Sequence, residues 1–140
     1  MKTFLDVNVF VDVLERREGW KASIAMVRLV RAGRIQGYIS ALTPPILYFL
    51  RARISSEEEA KEDAKRVIEG FRIVPLSEEI ISLSFDEKRM GDFEDSIQFY
   101  SAKPSSEVLV TRNKKDFRAV ENEIEVLTPE EFLEKYKPIP

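Results

Sequence analysis

The chain contains neither cysteine nor histidine in its 140 residues. The first absence excludes disulfides, thiolate nucleophiles and iron–sulfur clusters; the second removes the usual zinc sites and every imidazole-based acid–base scheme. Glycine is scarce as well. Gly19, Gly33, Gly37, Gly70 and Gly91 are scattered and form neither a dinucleotide fingerprint nor a phosphate-cradling loop. No long apolar run is present: the least polar stretch, Ile39 to Leu50, is short and carries Pro44 and Pro45, so no membrane span is expected. Nor does one sign of charge dominate, since 22 Lys+Arg against 25 Asp+Glu leave a net charge of −3. Bulk positive charge therefore does not drive the chain onto nucleic acid. The chemistry that remains uses carboxylates, hydroxyls, Lys, Arg or a hard oxygen-bound cation such as Mg²⁺ or Mn²⁺.

The apolar fraction, 44%, is that of an ordinary globular protein, while the charged fraction of 34% exceeds the usual value of about 25%. The length predicts a single domain over residues 1–140, large enough to bury about two-thirds of its unfolded surface. No Gly/Ser linker, low-complexity tract or internal repeat divides it. Met1-Lys2 leads directly into the strand-like TFLDV with no signal-peptide apolar region, so a cytoplasmic location is expected. Abundant Glu, Lys and Arg without Cys suit a heat-loving host.

Short apolar strands alternate with helical patterns. Thr3-Phe4-Leu5 reads as a strand, followed by a helix from about Asn8 to Arg17 and a second from Trp20 to Ala32. Gly37-Tyr38-Ile39 reads as a strand, after which Thr43 is expected to cap a helix with Pro44 and Pro45 in its first turn. Ser55 and Ser56, with Glu58 and Glu59 three residues on, open a helix whose apolar face is Ala60, Ala64, Val67 and Ile68. A strand at Phe71 to Pro75, a helix from Ser77 to about Arg89 and another from Asp92 to about Ala102 follow. Val108-Leu109-Val110 has the continuous apolar character of a strand covered on both faces. A strand over Ile124 to Leu127 and a helix opened by Thr128-Pro129-Glu130-Glu131 complete the chain. This alternation predicts an α/β fold, a three-layer α/β/α sandwich around a parallel sheet, with ligands bound beyond the carboxyl ends of the strands.

Three segments fall at such places. In LDVNVFVD, Asp6 directly follows the first strand and Asn8 lies two residues on; either side chain would also serve as a helix cap. In GDFEDSIQ, Asp92, Glu94 and Asp95 open a helix, where acids also suit the helix dipole. Asp92 and Asp95 share a face, with Cβ atoms about 5–6 Å apart. In VLVTRNKKDF, Thr111, Asn113 and Asp116 occupy the loop beyond the buried strand. Acids converging from all three segments with no cation beside them would repel one another. A divalent metal is the simplest relief, because hard cations take oxygen ligands and activate water.

In this order LDVNVFVD, ISALTPPILYFL, DFEDSIQ and VTRNKKDF resemble the PIN-domain family, and within it the small VapC-like toxins of toxin–antitoxin pairs. The likeness runs from Lys2 to about Leu133, and TxNxxDF after a buried strand is its most specific piece. It implies a metal-dependent ribonuclease that cuts RNA by metal-activated water. It also implies Mg²⁺ or Mn²⁺ on Asp6, Asp95 and Asp116 as catalytic acids, with Asn8, Thr111 and Asn113 in support. An antitoxin partner and a homodimer are further implications of the resemblance.

One position departs from the family pattern, which places a Glu early in the helix after the second strand, as in ISxLTxxE. Here ISALTPPI puts Ile46 there, and no carboxylate lies anywhere from Gln36 to Ser56. Asp92 or Glu94 would have to substitute in part. The departure keeps a second reading open: a catalytically weakened PIN-like domain that binds RNA or protein. A phosphatase-like or receiver-like domain using Asp6 as phospho-acceptor fits poorly, because Asn8 stands where such phosphatases carry a second Asp, and Lys114 and Lys115 follow the late strand too loosely for a receiver. EEEAKEDAKR at 57–66 reads as a solvated helix face, Arg16, Arg17, Arg28, Arg31 and Arg34 as solvated surface with an RNA path as the alternative, and ILYFL at 46–50 as core or dimer contact rather than a base-stacking platform.

Overall fold

The computed structural model of the protein describes residues 1–136. In it the sheet comprises β1 (Lys2–Leu5), β2 (Gln36–Ser40), β3 (Arg72–Val74), β4 (Val108–Val110) and β5 (Glu125–Leu127). The strands lie in the order β3-β2-β1-β4-β5, and each neighbouring pair is parallel. The helices are α1 (Val7–Glu15), α2 (Trp20–Arg31), α3 (Thr43–Ala52), α4 (Glu57–Val67), α5 (Glu78–Asp86), α6 (Phe93–Ser105) and α7 (Pro129–Tyr136), with a 3-10 helix over Lys114–Val120. The expected α/β/α sandwich is the fold observed.

Strand alternation sorts the side chains into two cores. Leu5, Ile39, Val108 and Val110 point to the face covered by α1, α2, α3, α4 and α7, where they meet Val9, Phe10, Met26, Val30, Leu47, Val67 and Phe132. Phe4, Leu109 and Val126 point to the other face, against Phe99 and Ala102 of α6 and Phe117 and Val120 of the 3-10 helix. Gly37 allows α2 to approach the first face closely, since a Cβ there would stand 2.6 Å from both Val30 methyls. The chain steps from β1 to β2 and β3 on one side, then returns to β4 and β5 on the other. The crevice between β1 and β4 is therefore the topological switch point, the place where open α/β sheets bind ligands.

Element boundaries differ from the sequence reading by a few residues, and four differences have identifiable causes. α1 begins at Val7 and ends at Glu15, where Arg16 turns left-handed at φ 49°. Thr43 does not cap α3: the helix starts at Thr43 itself, Leu42 holds the cap position, and the buried Thr43 hydroxyl makes no cap bond. α5 stops at Asp86 rather than near Arg89, because Glu87 is extended and ties back to the Arg89 amide and guanidinium. α6 runs on to Ser105 through Pro104, whose disruption falls in the last turn.

Both serine caps are formed, Ser56 accepting from the Glu59 amide and Ser77 from that of Ile80. The 57–66 segment is a largely solvated face with Glu57–Lys61 and Glu62–Arg66 pairs. In ILYFL, Leu47 is fully buried, Ile46, Tyr48 and Leu50 pack against the first core, and Phe49 is exposed.

Candidate functional site

Asp6 follows β1 directly, and its amide extends the ladder by donating to the Val110 carbonyl of β4 at 2.9 Å. It occupies the N-cap position of α1, yet its side chain makes no cap hydrogen bond. The carboxylate turns into the switch-point crevice instead, where it is 1% exposed. Its Oδ2 accepts from the Thr111 hydroxyl at 2.7 Å and from the Asn8 amide at 3.3 Å. The Thr111 Oγ in turn accepts from the Asn113 backbone amide at 3.1 Å. Capping therefore does not account for Asp6. A buried carboxylate that takes one donor from just beyond β4 and one from the start of α1 does.

Electrostatics extend the cluster. Asp6 is pushed up to about 7 from a usual value of 3.8, mainly by burial and further by the charges of Asp95 and Glu94; the bond from Thr111, and the nearby Val7 amide, oppose this. Asp95 is likewise raised to about 7, by desolvation first and then by Asp92, Asp116 and Glu94. Glu94 is raised by desolvation and by Asp92. Acids from the end of β1, the start of α6 and the 3-10 helix thus act on one another in one region. Among the described residues, no Lys or Arg pairs with any of the five.

Asp92 contributes through the backbone as well, its Oδ1 accepting from the Asp95 amide at 3.1 Å and so fixing the first turn of α6. Asp116 stands in the first turn of the 3-10 helix, where its amide donates to the Asn113 carbonyl at 3.0 Å. Asn113 is exposed and orders this loop through its main chain. The donors are all oxygen, which matches a hard divalent cation rather than a soft metal. Among the described residues, no three acids are drawn together as a ready-made chelate.

Arg112 supports the site in a way the sequence reading did not anticipate. Its Nε donates to buried Asp12, Nη1 to both oxygens of Glu130 at 2.6 and 2.8 Å, and Nη2 to the Gly19 carbonyl and Ser23 Oγ. Gly19 adopts φ 85°, and a Cβ there would meet the guanidinium at 2.6 Å. One side chain thus ties the loop bearing Thr111 and Asn113 to α1, α2 and α7. The only sequence signal was Arg112 lying between those two residues; its partners are 18 to 100 positions away.

Ile46 lies in the first turn of α3, half-buried against the first core. It brings no charge to the carboxyl edge of the sheet.

Comparison with known proteins agrees with this geometry. The model of the PIN domain matches residues 2–115. The chain is 33% identical to Ribonuclease VapC1 of Aquifex aeolicus, over 96% of this chain and 95% of that protein. Among solved structures, VapBC2 from Rickettsia felis bound to a promoter DNA fragment is similar with a TM-score of 0.67 at 17% identity, covering 91% of this chain and 97% of that one. A toxin–antitoxin complex from Klebsiella pneumoniae has a chain similar at the same TM-score of 0.67 and 21% identity, with coverage of 91% and 97%. These structures share the fold, and the matched model together with the 33% identical relative shows the lineage: the chain belongs to the PIN domain family, in its VapC-like branch.

Proposed function

We propose that this protein is a metal-dependent endoribonuclease and the toxin of a toxin–antitoxin pair, with residues 1–140 acting as one domain. The observation that carries the reading is Asp6, buried at the switch point, bonded to Thr111 and Asn8, and raised to about 7 within a group of acids that no Lys or Arg pairs with among the described residues. The name of the relative, a ribonuclease, supports the substrate class. The toxin–antitoxin complexes among similar folds are the basis for assigning an antitoxin partner.

Asp6, Asp95 and Asp116 are the residues that would hold Mg²⁺ or Mn²⁺, which supplies charge neutralisation at the scissile phosphate and lowers the pKa of attacking water. The protein's own part is positioning. Thr111 and Asn8 donate to one oxygen of Asp6 and fix the carboxylate plane. Asp92 holds the turn that presents Asp95, and Asn113 aligns both Thr111 and the amide of Asp116. Asp92 and Glu94 add negative charge beside Asp95. No imidazole is required at any point.

Ile46 favours a second reading, a binding module with weakened catalysis, since residues 36–56 contain no carboxylate. A labelled RNA pool incubated with purified protein separates the two. Cleavage that needs Mn²⁺ and disappears in Asp95→Asn and Asp6→Asn is the expected result. RNA retention without cleavage at any Mn²⁺ concentration selects the binding module.

A further inference from the structure

We propose that Gln98 is a positioning residue of the acidic crevice, its buried amide holding an ordered water against the carboxylates that would bind the divalent cation. The cation rests on the metal-dependent reading above; the amide's need for a partner does not. Gln98 is 0% exposed, and neither its Nε2 nor its Oε1 has a hydrogen-bond partner among the described residues. Because both atoms are orphaned, either orientation of the amide leaves the same demand. An unmet buried amide is costly, and buried polar groups in folded proteins are completed by protein or by ordered water. Leu or Met would pack between a helix and a sheet without that penalty, so the core alone does not explain this side chain.

The fold puts this residue beneath the acids. α6 packs on β1, β2 and β4. Its residues Ile97, Phe99, Ser101 and Ala102 are buried, and at about 3.6 residues per turn Gln98 falls in the middle of that face. Asp95 lies one turn earlier, with Cβ atoms about 5–6 Å away. The sheet supplies the matching side. Phe4 and Leu109 belong to the core under α6, so strand alternation turns Asp6 and Thr111, each two residues on, to that same side, as their mutual hydrogen bond requires. Phe4 pairs with Tyr38, which sets the fully buried Ser40 beside Asp6. Gln98 is therefore one turn inward from Asp95, on the helix face turned to the strand ends that carry Asp6 and Ser40. An amide both donates and accepts, and the carboxylates beside it, which no Lys or Arg pairs with among the described residues, accept the protons of a bridging water. Ser101 Oγ is the other orphaned group on this face, one turn further from the acids. A water shared by Gln98 and Ser101 alone is the competing arrangement.

Mn²⁺ binding to the purified full chain is titrated by electron paramagnetic resonance of the free ion, with the melting temperature followed in parallel. Gln98→Met keeps the length and bulk of the side chain and removes both polar atoms. It should bind Mn²⁺ about 10–100-fold more weakly than the wild type, the usual loss when a group that orients metal ligands is removed. Without metal it should melt no lower than the wild type, because the orphaned amide is gone. Ser101→Ala should bind Mn²⁺ as the wild type does. Gln98→Glu, which keeps an oxygen at the same reach and serves if Gln98→Met fails to fold, should melt lower than the wild type without metal and show a larger Mn²⁺-induced rise. Equal Mn²⁺ affinity of the wild type and Gln98→Met overturns the assignment and leaves the metal site standing. So does a loss in Ser101→Ala as large as that in Gln98→Met, which would make the water a structural one shared by the pair. A Gln98→Glu melting deficit that Mn²⁺ does not reduce also overturns it. A wild type that binds no Mn²⁺ at millimolar concentration sinks the metal-dependent reading, and this assignment with it.

Discussion

Thr111 and Asp6, 105 positions apart in sequence, are joined by a buried 2.7 Å hydrogen bond that spans the switch point between β4 and β1. The hydroxyl accepts the Asn113 amide while donating to the carboxylate, so the loop after β4 and the end of β1 are set by one atom. Hydrogen bonds to charged groups contribute about 1.5–3 kcal/mol. Thr111→Val should therefore destabilise the protein by about that amount at pH 8, where Asp6 is charged, and by less at pH 5. Thr111→Ser should recover most of the loss. Urea denaturation at the two pH values checks both variants; an equal loss for Val at both would mean that the methyl packing, not the bond, matters.

The acid cluster sets a pH dependence of definite sign. Asp6 and Asp95 titrate near 7 when folded and near 3.8 when unfolded, so between these values the folded state holds more protons. Stability without metal should consequently fall as pH rises from about 4 through 7, and level off above that. Asp95→Asn should flatten the curve and be neutral or stabilising at pH 8, because it removes one of the crowded charges. Millimolar Mn²⁺ should raise the melting temperature of the wild type more at pH 8 than at pH 6, since protons compete for the same oxygens. A wild-type melting temperature that rises with pH in the absence of metal would contradict this arrangement of acids.

The strands and the candidate acids were legible because their signals are local. Val108-Leu109-Val110 is apolar throughout because both faces of β4 are covered, and Asp6 was conspicuous as an acid directly after a strand. What remained hidden was set by distant contacts. Thr43 has the composition of a cap, yet α3 starts one residue earlier, with Leu42 at the cap position and the Thr43 side chain buried. Arg112 lies within a quoted motif, but its role depends on Asp12, Gly19, Ser23 and Glu130, which only folding brings to it. That Asp6 turns from its cap position into the crevice also required Thr111 to be seen across the sheet.

Arg112 should behave as a clamp whose inner contact matters more than its outer one. Its side chain is 18% exposed and that of Asp12 7%, whereas Glu130 is 51% exposed. Arg112→Met leaves Asp12 buried without its guanidinium and should cost on the order of 3 kcal/mol. Glu130→Gln removes a solvent-facing partner and should cost about 1 kcal/mol or less. Adding Asp12→Asn to Arg112→Met should recover part of the loss, read as a coupling energy in a double-mutant cycle. Additive losses would mean that Arg112 acts chiefly through Gly19 and Ser23.

Restoring a carboxylate at residue 46 tests what the departure from the family pattern does. Ile46 sits in the first turn of α3, just beyond the carboxyl end of β2, with its side chain half-buried against the first core. Removing that apolar packing should lower stability by about 1–2 kcal/mol. In return, a Glu adds a negative charge at the carboxyl edge of the sheet. Gaining or losing a group that holds or orients a metal changes affinity or activity by about 10–100-fold. Ile46→Glu should therefore bind Mn²⁺ more tightly, seen as a larger metal-induced rise in melting temperature, and cleave RNA faster than the wild type at equal Mn²⁺. Ile46→Gln should show the same loss of packing with neither gain, which isolates the charge. Equal cleavage by wild type and Ile46→Glu would mean that Asp92 or Glu94 already fills the role, and Asp92→Asn and Glu94→Gln would then be expected to lower the rate.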